Sequence, residues 1–197
     1  MVMDMNSHQA RLCSSPEWAK HIQGDILPAV TSGVDLGQDL LEIGPGPGAA
    51  TEWLRQRVTS LTAVELDEEA AAKLAERLAG TNVRVVLGTA TELSYPDESF
   101  DSVGSFTMLH HIPTLALQNK LLAEAFRVLR PGGVLIGSDS MPRNDGHHFH
   151  ADDTYNPVEP AALLTRLQTI GFARIAVVVD RSVKFVASKA AVDDTAI

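Results

Sequence analysis

A chain of 197 residues, 45% apolar and 21% charged, is long enough for one globular domain with a sizeable core. Its net charge of −9 opposes phosphate backbones and no basic run offsets it, so a nucleic-acid partner is not expected. The single cysteine, Cys13, leaves no partner for an internal disulfide or a cysteine-built metal site and fits a reducing cytoplasm; the N-terminus lacks a signal-peptide pattern and no run reaches membrane-spanning length, so neither export nor membrane insertion is expected.

In chain order, Pro16 to Val30 predicts an N-terminal helix with Ser14 or Ser15 as its cap, a possible lid over residues 1–33. Asp39 to Ile43, Leu61 to Glu65 and Val83 to Leu87 are short, branched apolar runs that fit strands buried on both faces. Between them, Ala49 to Val58 and Asp67 to Ala79 carry helix formers at helical spacing, the second stopped by Gly80. Phe100 to Phe106 reads as a strand, Leu117 to Leu129 as a helix, Arg130-Pro131-Gly132-Gly133 as a turn and Val134 to Ser138 as a strand. A helix from Glu159 to Thr169 follows the polar insertion 141–160. The strands Arg174 to Val179 and Val183 to Ser188 are too close for a parallel crossover and predict an antiparallel hairpin. The alternation predicts an α/β Rossmann-like three-layer sandwich over residues 34–189, with a seven-stranded, mostly parallel sheet whose last strand is antiparallel, and a flexible tail at 190–197.

The sharpest local feature is Leu41-Glu42-Ile43-Gly44-Pro45-Gly46-Pro47-Gly48-Ala49, a glycine turn between the first strand and the first core helix. Glycines there let the backbone approach a ligand beyond the carboxyl ends of the strands. The same residues also fit a dinucleotide fingerprint. A pyrophosphate, however, needs backbone N–H donors and no negative charge, whereas Pro45 and Pro47 remove two donors and Glu42 adds a carboxylate. Glu42 suits S-adenosylmethionine, which has no phosphate and carries a sulfonium and an ammonium. Glu65, about 20 residues after the loop, is placed to accept hydrogen bonds from ribose hydroxyls, as either cofactor would require.

With LLEIGPGPG at 40–48, AVELD at 63–67, YPDESFDSV at 95–103, SFTMLHHI at 105–112 and VLRPGG at 128–133, the chain resembles the class I methyltransferases. It resembles in particular the broad small-molecule branch that includes ubiquinone and menaquinone biosynthesis methyltransferases. The resemblance implies that Gly44, Gly46 and Gly48 line the methionine part of S-adenosylmethionine, that Glu65 holds the ribose, and that Leu66 packs on the adenine. It also implies that the backbone near Ser105 and Phe106 receives the methionine ammonium. One position departs from the family: Gly88-Thr89-Ala90 stands where Gly-Asp-Ala is common, so Thr89 offers the adenine amino group a hydroxyl without charge assistance.

On the acceptor side, the chain lacks the Asn/Asp-Pro-Pro-Tyr/Phe motif used for amide and base nitrogens. His110 and His111 follow the fourth strand at the ligand edge, where imidazole can take a proton from an acceptor hydroxyl. His150 and Tyr155, with Asp153, are candidates for orienting the acceptor from the insertion. His147, His148, His150, Asp152 and Asp153 form a cluster that could hold a metal; a solvated loop is the expectation, and no metal is assigned. The reading is methyl transfer from S-adenosylmethionine to a small-molecule acceptor, with a nicotinamide-dependent oxidoreductase or a non-catalytic S-adenosylmethionine-binding protein as alternatives.

Overall fold

A computed structural model of the chain describes residues 11–142 and 154–192. Seven strands form one sheet: β1 (Asp39–Ile43), β2 (Ser60–Glu65), β3 (Val83–Leu87), β4 (Phe100–Phe106), β5 (Leu129–Asp139), β6 (Ala173–Val179) and β7 (Val183–Ser188). Their order is β3-β2-β1-β4-β5-β7-β6. β1 to β5 pair in parallel, and β7 runs antiparallel to both neighbours, β5 and β6. The reversed strand is thus last in sequence, yet it lies inside the sheet with β6 at the edge.

The helices are α1 (Pro16–His21), α2 (Leu27–Thr31), α3 (Ala49–Leu54), α4 (Glu68–Arg77), α5 (Leu115–Val128) and α6 (Pro160–Ile170). They cover both faces of the sheet, and strand alternation sorts the core accordingly. Leu41, Ile43 and Val64 pack with Leu121, Leu122, Leu163 and Leu167 on one face. Leu40, Leu61 and Ala63 pack with Ile22, Ile26, Leu27, Leu54 and Leu74 on the other.

The largest departures from the sequence expectation fall at three places, each with a local cause. The N-terminal helix is continuous over residues 16–31 but widens into a π-turn at Ile22–Ile26, where Leu27 N–H reaches Ile22 O. Pro28 has no N–H for the ordinary register, and the wide turn absorbs that loss. α3 stops at Leu54 rather than Val58, and the Asn82 side-chain amide takes the carbonyls of Arg55 (2.8 Å) and Val58 (3.0 Å). Arg130 to Gly133 is not a turn before β5 but a bulge within it. Pairing with β4 jumps from Phe100–Leu129 to Ser102–Val134, and Gly132 adopts φ +82°. No helix among the described residues is long and apolar enough to cross a membrane.

Candidate active site

Parallel pairing brings the carboxyl ends of β1, β2 and β4 to one edge of the sheet, and a cavity of about 540 Å³ opens there. The glycine loop forms one wall. Gly44 (φ +64°) and Gly46 (φ +50°) occupy left-handed backbone, and a Cβ on Gly46 would meet nothing within 4 Å, so the chain leaves open space there. The loop is fastened from β2. Gly44 N–H donates to Val64 O (2.9 Å), and Gly46 N–H donates to Glu65 Oε2 (2.9 Å). Glu65 Oε1 accepts from the N–H groups of Leu66 (2.8 Å) and Asp67 (3.1 Å). The Glu65 carboxylate is therefore a fixed feature of the cavity wall, beside the half-exposed Leu66.

Glu42 lines the same cavity from β1 and is only 2% exposed. Its Oε2 has no hydrogen-bond partner among the described residues, and neither has the buried Thr51 Oγ1 of α3. Burial pushes the Glu42 carboxyl up to about 7, the Thr51 hydroxyl offsets part of the rise without reaching bonding geometry, and the Glu65 charge adds to it. An orphaned carboxyl facing a cavity suits a cationic ligand group and opposes a phosphate.

The opposite wall comes from the chain after β4 and from the N-terminal helix. Phe106, Thr107, Met108 and His111 line it, with Trp18 and Ile22 across from them. Thr107 is held at φ +53°, a conformation rare for a β-branched residue, with its N–H donating to Ser138 O (2.7 Å). Met108 packs over Gly44, so a Cβ on that glycine would meet the Met108 side chain at 3.0–3.2 Å. Behind His111 lies a buried pair. His110 Nδ1 stands 2.7 Å from Oδ1 of Asp139, the last residue of β5, and both side chains are buried. Asp139 also accepts from the backbone N–H groups of Leu109 (2.7 Å), His110 (3.3 Å) and Ser140 (2.7 Å). A carboxylate can only accept here, so Nδ1 of His110 carries a hydrogen. The rings of His110 and His111 stand 4.1 Å apart, and Tyr155 approaches His110 edge-on at 6.1 Å while its hydroxyl donates to Met141 O (3.1 Å).

The structure thus gathers Glu42, Gly44, Gly46, Glu65, Leu66, Phe106 and His111 around one cavity, and the other described candidates do not line it. Gly48 begins α3 at φ +81° against Leu74 and Arg77 of α4, as a packing glycine. The Thr89 hydroxyl bonds within its own turn, to Thr91 Oγ1 (2.9 Å) and Thr91 N–H (3.3 Å). Ala90 is core, and Ser105 is buried with a hydroxyl that has no partner among the described residues. His110 sits behind the wall that His111 presents. His147, His148, His150, Asp152 and Asp153 lie outside the described residues; among those that are described, no group of three or more His, Cys, Asp or Glu could hold a metal ion. Thr107 and Met108 fall within the SFTMLHHI motif but were given no role of their own, and no motif marked Asp139. An acid just past the expected end of a strand, on the ligand edge, was the available signal for Asp139.

A mostly parallel α/β sheet with a reversed last strand, and a cavity at its carboxyl edge between a glycine loop, an acid ending β2 and an orphaned acid in β1, is a Rossmann-like arrangement whose chemistry suits a cationic ligand. Residues 41–137 match the family described as methyltransferase domain, and the chain carries a class I S-adenosylmethionine-dependent methyltransferase domain. It is 31% identical over 141 residues to a probable S-adenosylmethionine-dependent methyltransferase of Mycolicibacterium smegmatis, covering 69% of this chain and 52% of that protein. It is 32% identical over 111 residues to a fatty-acid O-methyltransferase of the same organism, covering 55% of this chain and 39% of that protein. The chain therefore spans about half the length, or less, of these curated relatives. Among solved structures, a SAM-dependent methyltransferase from Aquifex aeolicus superposes with a TM-score of 0.72 at 19% identity, over 94% of this chain and 99% of that one, a likeness of fold.

Proposed function

We propose that this chain transfers a methyl group from S-adenosylmethionine to a small, largely apolar acceptor. The observation that carries the reading is the continuity of one cavity, from the acid and glycine wall of Glu42, Gly44, Gly46 and Glu65 to the apolar wall of Trp18, Ile22, Phe106 and Met108. When bound, the cofactor supplies a methyl group on a sulfonium, open to in-line attack. Glu65 and Leu66 take the ribose and adenine side, Glu42 faces the cationic end, and the apolar wall excludes water from the acceptor. A relative that methylates fatty acids by name agrees with an apolar acceptor bearing a hydroxyl or carboxyl. The net charge of −9 weighs against nucleic acid, and the lone Cys13 fits a reducing cytoplasm.

On the acceptor side, His111 is the group that reaches the cavity, and His110 stands behind it with its Nδ1 held by Asp139. In this reading the pair receives the proton an acceptor hydroxyl gives up, with Tyr155 closing the far side of His110. Cofactor carrying a labelled methyl group, offered with fatty acids and apolar alcohols, should pass label to at least one compound. His111→Ala should then slow transfer by on the order of 10²-fold while leaving cofactor affinity within about twofold. Label that stays on the cofactor across that panel contradicts the acceptor class, and a His111→Ala enzyme with full turnover removes His111 from the chemistry.

A further inference from the structure

We propose that Glu42 gives up a proton as the cavity fills, so that capture of the cationic cofactor is linked to pH through this one carboxyl. The inference rests on the cofactor assignment above and adds to it a proton that binding must release.

Geometry carries the argument. Glu42 is nine-tenths buried or more, its Oε2 has no partner among the described residues, and the cavity it lines is where the cationic group arrives. An ionised carboxylate buried without a partner is costly, so before the ligand binds the balance shifts toward the neutral carboxyl. A cation entering beside it reverses the preference, and the proton passes to solvent while the carboxylate becomes the counter-ion. The rise of the carboxyl to about 7, caused first by burial, places this exchange near neutral pH.

The surrounding groups leave Glu42 as the one that changes. From β2, Glu65 already accepts three backbone N–H groups and remains a fixed acceptor. From α3, Thr51 is uncharged and Glu52 is paired with Arg55 at 2.7 Å. From α4 and its cap, Asp67 accepts from Ala70 N–H, Glu69 pairs with Lys73, and Arg77 donates to Pro47 O (2.7 Å). From β4, Ser105 adds only a hydroxyl. Burial pushes the Cys13 thiol of the N-terminal segment up, which keeps it neutral. His111, on the wall after β4, is the remaining titratable group at the cavity and needs its own control.

The test is calorimetric titration of the intact chain with S-adenosylmethionine at about pH 6 and about pH 8, each in two buffers of unlike ionisation heat. The expected result is release of most of one proton at the lower pH and an affinity about tenfold weaker there than at the higher pH. In Glu42→Gln, both effects should shrink to whatever the ligand's own ammonium contributes, while His111→Asn should keep them. An infrared difference spectrum of the unsubstituted protein at about pH 6 should also lose a protonated-carboxyl band when cofactor is added, a readout that needs no variant. Equal proton release by the unsubstituted protein and Glu42→Gln, loss of the linkage in His111→Asn alone, or no change in the carboxyl band overturns the inference. No cofactor binding at either pH overturns the cofactor assignment itself, and this inference with it.

Discussion

Glu42 illustrates a conflict between folding and binding within one side chain. Its ordinary value is 4.5 and burial raises it to about 7 in the folded protein. For an acid shifted upward, the unfolded chain ionises first. Stability is therefore undiminished below about 4.5, falls as pH rises between there and about 7, and stays reduced above, by on the order of 3 kcal/mol. Glu42→Gln removes that loss, so the ligand-free variant should be more stable than the unsubstituted protein near pH 8 and equal to it near pH 4.5. Denaturant unfolding across that range decides it, and parallel curves would mean that the carboxyl ionises without cost in the fold. At this scale the sequence was informative where chemistry is written into a motif. Glu42 and Glu65 were legible because a charged residue beside a glycine turn has few structural reasons to be there. The placement of His110 and His111 was not, since which of two adjacent imidazoles faces the cavity depends on the 3-10 turn at Leu109–His111 and on Asp139, which in an extended chain would lie roughly 100 Å away.

Among the elements, the N-terminal helix departs most from its expected role. Its residues Ile22, Ile26, Leu27 and Val30 are between 0% and 2% exposed and belong to the core beneath the sheet, so we propose that it acts as a wall of the domain more than as a detachable lid. At about 1.5–3 kcal/mol for each buried aliphatic side chain, the four together approach the whole net stability of a typical domain. Deletion of residues 1–33 should therefore abolish cooperative thermal unfolding instead of merely opening the site. A truncated chain that melts cooperatively near the full-length temperature would return the helix to the status of a lid. The sequence showed β1, β3, β4 and β7 to the residue, because runs of branched residues end abruptly at polar or glycine positions, although β3 lies at the sheet edge with Arg84 and Leu87 exposed rather than buried on both faces. It did not show the bulge at Arg130–Gly133. Pro131 and two glycines read locally as a turn, and only the β4 register, which is a long-range fact, keeps them within a strand.

For the whole molecule, the separate observations converge on one physical requirement: an acidic chain that leaves a buried carboxyl and a glycine wall around open space needs a cation to complete them. That requirement separates the methyltransferase reading from the nicotinamide alternative more sharply than the fold, which both would share. The decisive measurement is a calorimetric titration of the intact chain with S-adenosylmethionine and, separately, with NAD at about pH 8. The account predicts saturable one-to-one binding of S-adenosylmethionine, weakened at least about tenfold in Glu65→Ala, where both the ribose acceptor and the anchor of Gly46 are lost, and no binding of NAD. Binding of NAD with no heat from S-adenosylmethionine, or an affinity for S-adenosylmethionine unchanged by Glu65→Ala, would contradict it.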